Sequence, residues 1–298
     1  MYPAPFEYVR ASSLAEALTL LGSSEDAKVI AGGHSLIPMM KLRLAQPAKV
    51  VDIGRLDELR GVTVGAESVR IGALTTHAAI AASAELHERC PLIAEAAAEI
   101  GDPQVRNRGT IGGNVAHADP GSDYPPVLRA LGATIHVQGP GGARAVPAAD
   151  FFVDLLTTDL HAGEIITAIE LPVQAASAGA GAGAGAGSAY LKFEHPASGY
   201  AVVGAAASLE LDGSGKVTGG GLAFGGVTAT PLPGDQIIEA LTGGDASDAA
   251  IEAAVAGLEA EDPLGDVFAS GSYRLHVARV YGRRALAIAR DRAKGVTR

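Results

Sequence analysis

Ala31-Gly32-Gly33-His34-Ser35-Leu36 follows a short apolar strand, Lys28-Val29-Ile30, and leads into an amphipathic run from Leu36 to Leu44. Adjacent glycines let consecutive backbone amides face one concavity and let a ligand approach without Cβ atoms in the way. Such a nest binds anions. The same chemistry returns at Thr110-Ile111-Gly112-Gly113-Asn114. One Gly-Gly pair is usually a tight turn, but two in this wording and order argue for a ligand.

The rest of the composition narrows what that ligand is. At 298 residues the chain has room for two or three domains, and 48% hydrophobic with 19% charged residues describes a globular protein. A net charge of −10 argues against a general nucleic-acid binder, so an anion must be held locally, by backbone amides rather than a basic surface. The single cysteine, Cys90, excludes an internal disulfide and any iron–sulfur cluster built from this chain alone. Met1-Tyr2-Pro3 does not open a basic-then-apolar leader, and no apolar run is long enough to span a bilayer. The expectation is a cytoplasmic protein.

Around the first glycine pair the pattern predicts a compact lobe over 1–57. Ser13-Leu14-Ala15-Glu16 has capping-box spacing, a helix follows to Gly22, and strands at Lys28–Ile30 and Lys49–Ile53 flank the Leu36–Leu44 helix. Residues 58–176 predict a second lobe. It has a hairpin at Val62–Val64 and Val69–Ile71, helices begun by Thr76 and Pro91, a helix near Asp123, and strands at Thr134–Val137, Ala143–Val146 and Glu164–Leu171. The remaining lobe, 177–298, predicts strands at Tyr190–Phe193, Ala201–Leu211 and Lys216–Phe224, then three helices. Ala178–Gly187 alternates alanine and glycine and reads as a mobile surface loop. The last helix, Ser272–Lys294, carries Arg279, Arg283, Arg284, Arg290 and Arg292, a solvated face or a docking surface.

Both glycine segments, with Ala116-His117-Ala118-Asp119-Pro120 and Ser122-Asp123-Tyr124-Pro125 behind the second, resemble the FAD-binding medium subunits of the molybdenum hydroxylases, a family whose aerobic carbon monoxide dehydrogenase subgroup is similar over nearly the whole chain. The resemblance implies an α+β chain: a two-lobed PCMH-type FAD-binding fold, then a lobe of antiparallel sheet plus three helices. It implies FAD bound along Ile30, Ala31, Gly32, Gly33, His34, Ser35 and Leu36 and along Thr110, Ile111, Gly112, Gly113 and Asn114. It further implies Asp123 on FAD hydroxyl or adenine groups, the backbone of Ile166 at the adenine end, and Lys192, with Tyr190 stacking nearby, beside the flavin ring. Bottom-up, Asp123 is equally a helix N-cap and Tyr190 a cross-strand aromatic.

No catalytic acid–base pair is evident, and His34 and His117 are not read as metal ligands because no third ligand stands near. The implied partners are a large subunit carrying the molybdenum cofactor and a small [2Fe-2S] subunit, arranged as a dimer of heterotrimers, with no nucleic acid and no membrane span. Electrons would pass from the partner clusters through FAD to an outside acceptor. The substrate, be it carbon monoxide, an N-heterocycle or an aldehyde, is not written in this chain. A stand-alone flavin oxidase and a nonenzymatic anion-binding scaffold are the other two readings.

Overall fold

The computed structural model describes residues 2–174 and 185–296. The first three strands, β1 (Glu7–Arg10), β2 (Ala27–Ile30) and β3 (Lys49–Asp52), form a parallel sheet in the order β1-β3-β2. Helix α1 (Leu14–Gly22) covers one face, where Ala17, Val51 and Ile53 are buried. Ser13 caps α1 by accepting from the Glu16 amide, but Glu16 bonds back to the Ser12 amide at 2.7 Å, one residue earlier than a capping box has it. The short α2 (Leu36–Lys41) ends before the predicted Leu44, and Arg43 at φ +60 turns the chain away. Strand β1 escapes sequence reading, because four residues this exposed become a strand only by pairing Glu7–Arg10 with Lys49–Asp52.

The middle sheet runs β4-β5-β10-β6-β7 and is antiparallel throughout. Its hairpin, β4 (Val62–Val64) and β5 (Ser68–Gly72), is followed by five helices: α3 (His77–Ala81), α4 (Ala84–Arg89), α5 (Pro91–Ala98), α6 (Pro103–Arg108) and α7 (Ile111–His117). Then come α8 (Tyr124–Ala130), β6 (Thr134–Gly139), β7 (Gly142–Pro147), α9 (Ala148–Phe151), a small ribbon of β8 (Phe152–Asp154) with β9 (Thr157–Thr158), and β10 (Ile165–Pro172). Thr76, Ser83 and Asp102 each cap the helix they precede. One sheet face is packed by these helices into the largest core, with Ile71, Ile93, Ile111, Tyr124, Leu128 and Ile135 fully buried. Leu74 and Ile165 also join the core of the first lobe, so the two lobes share apolar packing.

The last sheet is antiparallel, ordered β11 (Gly185–Glu194), β12 (Ala201–Leu211), β13 (Val217–Gly225) and β14 (Leu232–Pro233). Helices α10 (Asp235–Leu241), α11 (Asp248–Ala256) and α12 (Gly271–Ala293) complete it. Two expectations change here. Of the Gly-Ala run read as a loop, 178–184 lies outside the described residues, but Gly185–Gly187 opens β11, paired with Leu209–Leu211. A Cβ on Gly187 would overlap the Ala289 carbonyl of α12, so a residue without a side chain is what lets the helix seat on the strand.

The arginines of α12 are not a free basic face. Arg274 donates to the carbonyls of Val202 at 2.6 Å and Gly226 at 2.8 Å, and Arg279 to Leu258. Arg290 reaches Ala246 and Asp248, and Arg292 reaches Ser188 and Glu95. Their hydrogen-bonding capacity ties the helix to its own lobe and, through Glu95, to α5. Arg283 and Arg284 stay exposed, the first beside Glu252 and the second over the Tyr281 ring.

Candidate functional site

Strand β2 ends where the Ile30 carbonyl accepts from the Ile53 amide at 3.0 Å, and beyond it the parallel ladder stops. Gly33, at φ +78, then turns the chain into α2. Ser35 holds the N-cap position but makes no side-chain cap bond. Among the described residues, no intrachain acceptor receives the amides of Ala31, Gly32, Gly33, His34, Ser35 or Leu36. Six consecutive donors are left over at the carboxyl end of a parallel sheet, the end where α/β structures bind anionic ligands.

The second glycine segment is built differently, and its reading as a second nest is corrected. Thr110 caps α7, with Oγ1 accepting from the Gly113 amide at 3.2 Å and its carbonyl accepting from Asn114 at 3.0 Å. The Ile111 amide donates to Thr75 at 3.1 Å and that of Gly112 to Ala73 at 2.8 Å. Four amides are thus consumed, because a capped helix that also docks on the 73–75 turn needs them. What remains is a bare surface. Gly113 is exposed, and a Cβ there would meet only Thr110 Oγ1, at 3.0 Å. Asn114 stands beside it, with Oδ1 accepting from Ser122 Oγ at 2.6 Å.

The two segments touch. A Cβ on Gly32 would overlap the Arg108 carbonyl oxygen and lie 2.9 Å from Gly109 Cα. Gly109 rests on His77, whose Nε2 would sit 2.5 Å from a Cβ at that position, and the His77 amide donates to the Gly109 carbonyl at 3.0 Å. On its other side the His77 ring meets Tyr124, with Nδ1 3.2 Å from the phenolic oxygen. His77 is 3% exposed. Burial first, and then the charges of His34 and Arg106, push its imidazole down to about 4, so it props this junction as a neutral ring.

Asp123 occupies the N-cap position of α8 without capping it. Its carboxylate instead accepts from the Tyr190 hydroxyl at 2.7 Å and pairs with the Lys192 ammonium at 3.0 Å, while Lys192 also donates to the Glu99 carbonyl at 2.8 Å. The two charged side chains are 6% and 2% exposed. Burial pushes the Asp123 carboxyl up to about 6 against the opposing pull of Lys192 and Tyr190. This network joins β11 to α5 and α8, and Ser122 links it to Asn114.

The geometry gives the ring-end residues partners within the protein. Tyr190 belongs to the core, its hydroxyl donating to Asp123 and its phenol pushed well above the usual range by burial. The Lys192 ammonium is enclosed rather than presented. Ile166 lies in β10 opposite Val137, next to a bulge, with its side chain in the core. Its strand is packed by α7.

Sequence reading missed Arg108, Gly109, His77 and Ser122. Gly109 directly before Thr110 was a visible signal, since a glycine ahead of a helix cap marks a close approach. His77 gave none, because only the fold brings it under Gly109. A cleft of about 550 Å3 lies elsewhere, on the outer face of the middle sheet beside Arg60, Arg70, His136 and Gln138. Its charges are locally answered by Asp57 and Glu170, and it contains neither glycine segment. Six free amides beside a bare glycine and a polar amide fit a diphosphate with adjoining hydroxyls. The residues present therefore suit a dinucleotide.

Comparison with known proteins agrees. Residues 4–174 match the family described as the FAD binding domain in molybdopterin dehydrogenase, and residues 188–289 match the CO dehydrogenase flavoprotein C-terminal domain. The carbon monoxide dehydrogenase medium chain of Afipia carboxidovorans is 40% identical over 99% of this chain and 100% of its own length. The glyceraldehyde dehydrogenase medium chain of Sulfolobus acidocaldarius is 38% identical over 94% of this chain and 96% of its own. Among solved structures, a chain of the cyanide-inactivated Cu,Mo-CO dehydrogenase superposes with a TM-score of 0.91 at 38% identity, covering 98% of this chain and 100% of that one.

Proposed function

We propose, from the premise that this chain belongs to the FAD-binding medium subunits of the molybdenum hydroxylases, that it serves a carbon monoxide dehydrogenase-type complex. The observation that carries FAD binding is the run of six unengaged amides from Ala31 to Leu36. When bound, FAD supplies electron transfer between the iron–sulfur clusters of a partner and an external acceptor. The chain's own residues hold and orient it. The amides of the first loop receive the diphosphate. Gly113 lets it approach, Asn114 adds a side-chain amide, and the backbone of Ile166 borders the adenine end. Asp123, Tyr190 and Lys192 fix the third lobe against α5 and α8 and so set the wall at the flavin end.

The chain divides into lobes at 1–57, 58–176 and 177–298. The partners are a large molybdenum-cofactor subunit and a small [2Fe-2S] subunit in a dimer of heterotrimers, and the complex works in the cytoplasm. No described helix is long and apolar enough to cross a membrane. The full-length match to carbon monoxide dehydrogenase medium chains favours carbon monoxide as substrate, and the 38% identity to a glyceraldehyde dehydrogenase medium chain favours an aldehyde as the second reading. Co-expression with the neighbouring genes decides it. A yellow complex with one FAD per chain that reduces a dye with carbon monoxide supports the first reading, and aldehyde-dependent dye reduction alone supports the second. A chain that stays monomeric and turns over an organic substrate by itself overturns both.

A further inference from the structure

Residues 31–51 and 103–118 together carry five Lys and Arg and no Asp or Glu, in a chain whose net charge is −10. These acid-free stretches are the two that meet at Gly32 and Arg108. Four of the cations cannot serve a ligand between them or lie away from it. Lys49 pairs with Glu7 at 3.4 Å. Arg106 spends its guanidinium on the Ile100 and Gly101 carbonyls, at 3.0 and 2.7 Å. Lys41 ends α2, a helix length beyond the loop, and Arg43 lies further on. Arg108 is different. Its carbonyl lies against Gly32, its side chain is exposed, and among the described residues its guanidinium has no hydrogen-bond or ion-pair partner.

Resting on the FAD reading above, we infer that Arg108 closes over the diphosphate held by the Ala31–Leu36 amides. Backbone amides donate hydrogen bonds but carry no net charge, so a diphosphate bound by them alone keeps its two negative charges. A guanidinium answers both needs, since its planar fork gives paired N–H donors to phosphate oxygens and a permanent positive charge. Its place at the end of α6, next to the loop and without a partner among the described residues, lets it fold over the ligand without breaking any bond seen there.

The test titrates the deflavinated complex with FAD, ADP, AMP and riboflavin at low and high salt, following flavin fluorescence or calorimetry. Arg108→Gln weakens FAD and ADP about ten- to a hundredfold at low salt. It also flattens the salt dependence and leaves AMP and riboflavin unchanged, and Arg108→Lys recovers the salt dependence but only part of the affinity. Thermal unfolding of the variants stays at the wild-type temperature. Equal FAD affinity in wild type and Arg108→Gln overturns the inference, as does an equal loss in Lys41→Gln, which would mark a diffuse field instead of a clamp. A wild-type complex that takes up neither FAD nor ADP would instead overturn the functional reading of the loop.

Discussion

Gly32-Gly33 lies in a loop whose amides find no acceptor among the described residues, whereas Gly112-Gly113 lies in the first turn of a capped helix whose amides are spent on Thr75, Ala73 and Thr110. The first pair supplies donors and the second supplies absence, a patch of helix without side chain against which a ligand can lie. Backbone conformation makes the difference. Gly33 takes φ +78 and keeps the amides pointing outward, while Thr110 drives the second pair into helical closure despite the poor helix propensity of glycine.

The sharpest way to break this comparison is Gly32→Val against Gly113→Val. At Gly32 the new side chain would collide with the Arg108 carbonyl and Gly109, backbone that cannot swing aside, so stability falls by about 3 kcal/mol and FAD is lost. At Gly113 the site is open, so calorimetric stability changes by less than about 1 kcal/mol, yet FAD retention falls because the branched side chain stands where the ligand approaches. A Gly113→Val complex with its full complement of flavin would move the ligand off α7.

The prop between the two segments gives the next effect. His77 has a folded pKa of about 4, below its ordinary 6.5. Between those values the unfolded chain takes up a proton that the folded chain refuses, so folding stability drops as pH falls from 6.5 to 4, by up to roughly 3 kcal/mol. Asp123, raised from 3.8 to about 6, has the opposite slope across an overlapping window. It is present in both proteins and cancels in the difference. Chemical denaturation of wild type and His77→Gln across this range should show the variant's curve lacking the acid-side loss, and parallel curves would remove His77 from the junction.

Smaller effects sharpen the contrast. Gly33→Ala forces a Cβ into a left-handed conformation and costs about 1–2 kcal/mol. Thr110→Val removes a working cap and costs about 1 kcal/mol, read as a lower unfolding temperature. Ser35→Ala removes a hydroxyl that caps nothing, so its unfolding temperature should stay put while flavin affinity declines. If Ser35→Ala lowers stability as much as Thr110→Val, the two helix starts are alike after all.

Much of the fold was legible in the chain. Ser13, Thr76, Pro91 and Asp123 mark helix starts where the helices begin, and the alternating strands of the middle and last sheets fall where their period places them, because caps and burial patterns are local properties of the residues. The exposed strand Glu7–Arg10 was not, since its only claim to be a strand is a partner forty residues away.

The same line divides the site. By itself the sequence determined that two glycine pairs approach something closely, that no cysteine cluster or large basic surface helps them, and that the chain is flavin-binding in its wording. Only the tertiary structure decided which pair keeps its amides free, that Gly32 meets Arg108, that Asp123 answers Lys192 and Tyr190 instead of capping α8, and that Arg274, Arg279, Arg290 and Arg292 of α12 bond within the fold while Arg283 and Arg284 stay exposed. The physical reason is that a donor's availability depends on every acceptor the fold brings near it. Glycine fixes where a backbone is permitted to go, and the contacts of distant segments fix which of its hydrogen bonds are left for a ligand.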